Sequence, residues 1–123
     1  HRLKPLEGVY PDGFRFDLPG ICPEPFARIP DCCEGLEPYA EYRVRSTDID
    51  VGGHMNNTAY VRMIMGSLSN EERKALTIRR MDVIFRASCY EGDVLSFRRK
   101  ETEDGLDIRV SRGEETVLLV RIR

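Results

Sequence analysis

The sequence predicts an α+β domain, one central helix followed by an antiparallel meander, and three features carry that prediction. All seven prolines fall between Pro5 and Pro38, so the chain changes character at Tyr39. The segment Ala59-Tyr60-Val61-Arg62-Met63-Ile64-Met65-Gly66-Ser67-Leu68 carries a single charge. From Leu76 onward, four strand-like runs are separated by turn residues. A strand, a buried helix and a meander in that order form an α+β plan.

The proline-rich stretch 1–38 reads as an extended arm or linker. Proline fixes φ and removes a donor, so Leu18-Pro19-Gly20-Ile21-Cys22-Pro23-Glu24-Pro25 cannot build a regular helix or a central strand. Phe14, Phe16 and Phe26 are its expected anchors on a surface. Residues 39–123 form the domain. Glu41-Tyr42-Arg43-Val44-Arg45 alternates with period two and reads as a strand. The aspartates, paired glycines and paired asparagines from Thr47 to Asn57 are turn chemistry, with Asn56 or Asn57 as the N-cap of the helix. A helix apolar nearly all round is expected to be buried. Ser69-Asn70-Glu71-Glu72 is a capping-box pattern opening a short polar helix to about Ala75. The strand candidates are Thr77–Ser88, Val94–Glu101, Leu106–Ser111 and Thr116–Arg123. Leu106, Ile108 and Val110 alternate with polar residues, which predicts one wet face. Val117-Leu118-Leu119-Val120 does not alternate, so the last strand is expected to be covered on both sides.

Composition narrows the function classes. At 123 residues the chain suits one modest core, and 41% apolar with 33% charged residues is the balance of a soluble globular domain. A net charge of −2 provides no basic face for nucleic acid. No apolar run approaches the roughly 20 residues of a membrane helix. No signal peptide is evident, although the chain opens at His1 and its start could lie upstream or in a tag remnant. Four cysteines (Cys22, Cys32, Cys33, Cys89) allow two disulfides on paper, but no CxxC pair or histidine at ligand spacing supports a zinc site. Reduced thiols in a cytoplasmic protein, with no metal or other cofactor, are therefore expected.

Asp50-Val51-Gly52-Gly53-His54-Met55-Asn56-Asn57-Thr58-Ala59-Tyr60 fits the pattern D-x-x-G-H-x-N-N-x-x-Y. This pattern resembles the signature of acyl-CoA and acyl-carrier-protein (acyl-ACP) thioesterases of the hot-dog superfamily, in which a curved sheet wraps a long helix. Arg45-Ser46-Thr47-Asp48-Ile49-Asp50 resembles the stretch that precedes the motif in the acyl-ACP thioesterases, and Met81-Asp82-Val83-Ile84-Phe85-Arg86-Ala87-Ser88-Cys89 resembles their strand after the helix. The resemblance implies that residues 39–123 are the C-terminal hot-dog half of such an enzyme. It also implies that the arm is the linker between halves, and that the first half, which accommodates the acyl chain, is absent. In plant-type members the catalytic set is an aspartate, an asparagine two residues before the histidine, the histidine, and a glutamate beside the cysteine. Asp50, His54 and Cys89 match; Gly52 stands for the asparagine and Ser88 for the glutamate. The Asp-x-Gly-Gly form resembles single-domain acyl-CoA thioesterases, whose chemistry leans on one aspartate.

Each residue has a chemical and a structural reading. Thioester hydrolysis needs an activated water or an attacking carboxylate, and Asp50 is the first candidate; alternatively it fastens the turn through backbone donors. His54 serves as water-orienting base or as acid to the leaving thiolate, or else bonds a loop carbonyl. Gly52 and Gly53 let a substrate approach the backbone, and the helix start at Asn56, Asn57 and Thr58 offers N–H groups to an oxyanion. Asn56 and Asn57 also read as cap and loop fasteners, and Tyr60 as core. Cys89 is either a thiol nucleophile with His54 as base or a small hydrophobe. Arg98-Arg99-Lys100 with Arg79, Arg80 and Arg86 could meet the phosphates of a pantetheine carrier, or simply form a solvated face. The resemblance thus implies hydrolysis of acyl-ACP or acyl-CoA to acid and thiol, and a homodimer or pairing with a second hot-dog domain. Two alternatives stay open: a non-catalytic acyl-binding or dimerisation module, and half of a two-part enzyme. Another hot-dog enzyme, such as a dehydratase, would use a histidine–acid arrangement that the sequence does not match.

Overall fold

A computed structural model describes residues 28–103 and 105–123. The anchors Phe14, Phe16 and Phe26, and Cys22, lie outside the described residues. Strand β1 (Ala40–Arg43) leads through a 3-10 turn (Ser46–Asp48) to helix α1 (Asn57–Ser67) and the short α2 (Asn70–Ala75). Strands β2 (Met81–Phe85), β3 (Val94–Thr102), β4 (Gly105–Arg112) and β5 (Glu115–Ile122) follow. All pairs are antiparallel, in the order β1-β3-β4-β5-β2. One sheet with one long helix packed on it is the α+β, hot-dog plan.

The core forms where period-two strands meet the helix stripe. Leu95 and Phe97 of β3, Ile108 and Val110 of β4, and Leu118, Val120 and Ile122 of β5 pack with Ala59, Tyr60, Met63 and Ile64 of α1. The helix is not enclosed all round, as its composition suggested. Val61 is 40% exposed and Arg62 and Gly66 face solvent, so one stripe of α1 is buried and the other is open. The capping box closes as expected: Ser69 accepts from the Glu72 N–H at 3.1 Å, and Glu72 accepts from the Ser69 N–H at 2.7 Å.

The wet face expected on β4 is instead covered. Asp107, Arg109 and Ser111 are buried beneath residues 29–36. The Cys32 thiol donates to Asp107 Oδ2 at 3.3 Å, Cys33 donates to the Asp107 carbonyl, Asp31 pairs with Arg109 at 3.5 Å, and the Leu36 carbonyl accepts from Arg98. Arg121 closes a two-pronged ion pair on Asp107, both contacts 2.6 Å. Alternation marks two different faces, but it does not tell water from ion-paired protein. Val117 to Val120 are buried throughout, as their continuous apolar run predicts.

Two details set the geometry of the sheet, one at each end of β5. Gly105 sits at φ +150°, where a Cβ would lie 2.0 Å from the Ile122 carbonyl oxygen, so only glycine lets β4 begin there. Between Val110 and Ser111 the β4–β5 register shifts, leaving Val117 as the extra residue of a bulge. The Val117 carbonyl accepts from the N–H groups of Arg86 (2.8 Å) and Ala87 (3.3 Å), which ties the end of β2 to β5 beside the motif loop.

Candidate active site

The motif loop is built on Asp48, a buried carboxylate. Its oxygens accept from the Tyr42 hydroxyl (2.7 Å), the Arg45 N–H (2.9 Å) and the Arg62 guanidinium (2.7 Å). Burial pushes this carboxyl up, but the three donors outweigh burial and hold it below the usual carboxylate range. The Asp48 carbonyl accepts from the Asn56 N–H at 2.8 Å, and Ile49 bridges to Met55. Residues 50–54 are thereby pinched into a closed turn, with the Asp50 N–H bonded to the His54 carbonyl at 2.9 Å.

Within the turn, Asp50 Oδ1 accepts the Gly52 N–H at 2.8 Å and the Asp50 carbonyl accepts the Gly53 N–H at 3.0 Å. Gly53 takes φ +77°, a left-handed conformation suited to glycine. A Cβ on Gly52 would stand 3.0 Å from Asp50 Oδ1 and 3.3 Å from His54 Nδ1. The carboxylate and the imidazole therefore both border the space at Gly52 that an asparagine side chain would occupy, with no hydrogen bond or ion pair between them. The His54 ring leans on Tyr90, centroids 5.6 Å apart.

Asn56 caps α1: its Oδ1 accepts from the N–H of Thr58 (2.8 Å) and from the Thr58 hydroxyl (2.6 Å). The helix start thus spends two of the three donors expected to meet an oxyanion. The Asn56 and Thr58 N–H groups are both occupied, and that of Asn57 has no acceptor among the described residues.

Asp50, His54 and Asn57 line an open cleft of about 370 Å³, together with Met55, Tyr60, Phe85, Arg86, Ala87 and Ser88. Cys89 is set behind it. It is 0% exposed, its N–H bonds to the Tyr60 hydroxyl at 3.1 Å, and its carbonyl accepts from Met55. Burial pushes its thiol up, so it has the environment of a small hydrophobe and not of an attacking thiolate. Tyr60 is core, its ring edge-on to Phe85 at 5.4 Å.

The basic cluster is divided. Arg98 bonds Leu36 and Ser111, Arg99 pairs with Glu72 at 2.6 Å, and Arg80 with Asp82 at 2.9 Å. Arg86 differs: its guanidinium has no hydrogen bond or ion pair among the described residues, and it lines the cleft with Asp50 and His54. Sequence pattern alone did not separate it from its neighbours, nor mark Asp48 as the anchor of the loop. No group of three or more His, Cys, Asp or Glu residues suited to a metal ion occurs among the described residues.

Residues 36–120 match the acyl-ACP thioesterase C-terminal domain family. The chain belongs to the acyl-ACP thioesterase family. A solved acyl-ACP thioesterase from Bacteroides thetaiotaomicron is 30% identical with a TM-score of 0.73, covering 86% of this chain and 43% of that one. The chain thus spans less than half the length of that acyl-ACP thioesterase. A 1,4-dihydroxy-2-naphthoyl-CoA thioesterase from Synechocystis shares the fold at 16% identity and a TM-score of 0.56, with 68% of this chain and 76% of that one covered. The comparison with curated proteins gives no match. The hot-dog fold and the thioesterase family are those expected from the motif. No helix among the described residues is long and apolar enough to cross a membrane.

Proposed function

We propose that this chain hydrolyses acyl thioesters, on acyl carrier protein or coenzyme A, to free acid and thiol. The observation that carries this reading is that Asp50 and His54 flank Gly52 and line one cleft. As base, Asp50 takes a proton from water while the water oxygen bonds to the thioester carbon. Collapse of the tetrahedral oxyanion breaks the C–S bond, and His54 delivers a proton to the leaving thiolate. As nucleophile, Asp50 would attack directly and water would open the resulting anhydride. Neither route needs a metal or a redox cofactor. Gly52 supplies space, while Asn56 and Thr58 brace the helix start. The cleft is open to one side, which fits pairing with a second hot-dog domain, from another copy of the chain or a separate half. A cytoplasmic setting suits such substrates.

Thiol release from a panel of acyl-CoA and acyl-ACP substrates, with Asp50→Ala alongside, tests the reading. Turnover that collapses in the variant supports it; unchanged turnover keeps the reaction but removes Asp50 from it. One second reading has a specific observation behind it. Gly52 and Ser88 stand where plant-type members carry asparagine and glutamate, which favours an acyl-binding or dimerisation module. Tight acyl-thioester binding without turnover would identify that module.

A further inference from the structure

Hydrolysis of a thioester puts a full negative charge on the carbonyl oxygen in the tetrahedral state and leaves it on the carboxylate product. A site for this reaction needs donors or positive charge aimed there. The motif's backbone meets little of that need. The N–H groups of Gly52, Gly53, Asn56 and Thr58 are bonded within the loop and its cap, which leaves at the helix start only that of Asn57 without an acceptor among the described residues. The asparagine and glutamate of plant-type members are absent at Gly52 and Ser88.

Among the described residues, Arg86 is the only arginine or lysine lining the cleft. Its main chain is pinned to the Val117 bulge at 2.8 Å, while its guanidinium is exposed and without a partner among the described residues. The buried and half-buried arginines elsewhere on the sheet are committed: Arg109 to Asp31, Arg112 to Asp93 and Glu115, Arg121 to Asp107. A guanidinium stays charged at every working pH and matches a carboxylate with two parallel donors.

We propose that Arg86 recognises the negative charge at the reacting carbon, meeting the oxyanion during turnover and the carboxylate of the product afterwards. This rests on the hydrolysis reading for the oxyanion, whereas recognition of the carboxylate can be measured without turnover.

The test uses the full chain and two water-soluble probes, octanoate and octanamide, which share shape and differ in charge. Calorimetric titration of the parent is expected to favour octanoate by about tenfold, the scale of one charge-assisted hydrogen bond. Arg86→Gln brings the two probes to parity, and Arg86→Lys restores part of the preference. Arg86 is exposed, so both variants should melt with the parent. In thiol-release assays, Arg86→Gln lowers kcat on the order of tenfold to a hundredfold with little change in KM, less than an enclosed oxyanion donor supplies because the cleft is open to water. Equal affinities in the parent, no octanoate binding at millimolar concentration, or a preference that survives in Arg86→Gln would overturn the proposal. An Arg86-dependent preference in a protein that releases no thiol from any substrate would instead sink hydrolysis and leave the anion site standing. Turnover indifferent to Arg86 would do the reverse.

Discussion

The Tyr42 hydroxyl donates to Asp48 Oδ2 at 2.7 Å, linking β1 to the turn that leads into the Asp50–Tyr60 motif. With Arg45 and Arg62 on the same carboxylate, Asp48 holds strand, loop and helix at one point. Asp48→Ala leaves a tyrosine hydroxyl and a backbone N–H without their acceptor, and is expected to cost about 2–4 kcal/mol of stability. Denaturant unfolding with a constant m-value is the measurement.

The pH dependence of folding follows from the same group. Asp48 is held below its ordinary 3.8 because its donors outweigh burial, and Asp107 is lowered chiefly by Arg121. A depressed folded pKa gives stability that is complete above the ordinary value and lost as pH falls through the folded one. Unfolding free energy should therefore hold above about pH 5 and drop on acidification below pH 4. Asp48→Asn and Asp107→Asn should each flatten that drop. An equally steep loss in both variants would assign it to other carboxylates.

Gly52→Ala tests whether Asp50 and His54 act together. The new Cβ must share space with Asp50 Oδ1 at 3.0 Å and His54 Nδ1 at 3.3 Å. Each must give by a few tenths of an ångström, so kcat should fall by up to about tenfold while the exposed turn keeps the melting temperature within a few degrees. Unchanged kcat would mean that the pair does not act together.

Cys89→Ala should retain thioesterase activity within about twofold, since the residue contributes packing and not a nucleophile. Cys33, which burial pushes up to about 12, and Cys89 should both resist thiol reagents until the chain unfolds. Loss of activity in Cys89→Ala with the fold intact would return the thiol to the mechanism.

Much of this was legible in the residues. The helix over Asn57–Ser67 and the four strands that follow came from composition, periodicity and turn residues, although only β3-β4-β5 run as the expected meander while β2 pairs with β5, and the motif placed Asp50 and His54 beside the helix start. Three features were not. Alternation along Leu106–Ser111 reports two faces, but the partners that bury Asp107 and Arg109 come from residues 31–32, far away in sequence. Asp48 reads as one more turn aspartate until Tyr42 and Arg62 are brought around it. The apolar stretch of α1 overstated its burial because Val61 and Gly66 face outward.

Gly105→Ala should be among the most damaging single changes. Its Cβ would fall 2.0 Å from the Ile122 carbonyl oxygen, so the β4–β5 pairing must open to admit it. A loss of about 2–4 kcal/mol is expected, read by thermal or urea unfolding.

The register between β2 and β5 makes the cleft's cation a matter of counting. Arg86 reaches its place because its N–H bond to the Val117 carbonyl continues the β2–β5 register one rung past Phe85–Leu118, whereas the bulge lies on the β4 edge of β5. A side-chain change at Val117 alters packing but leaves that tally intact. Deleting a single residue from Leu118–Arg121 would shift that ladder by one, and the placement of Arg86 would be lost without touching any residue that lines the cleft.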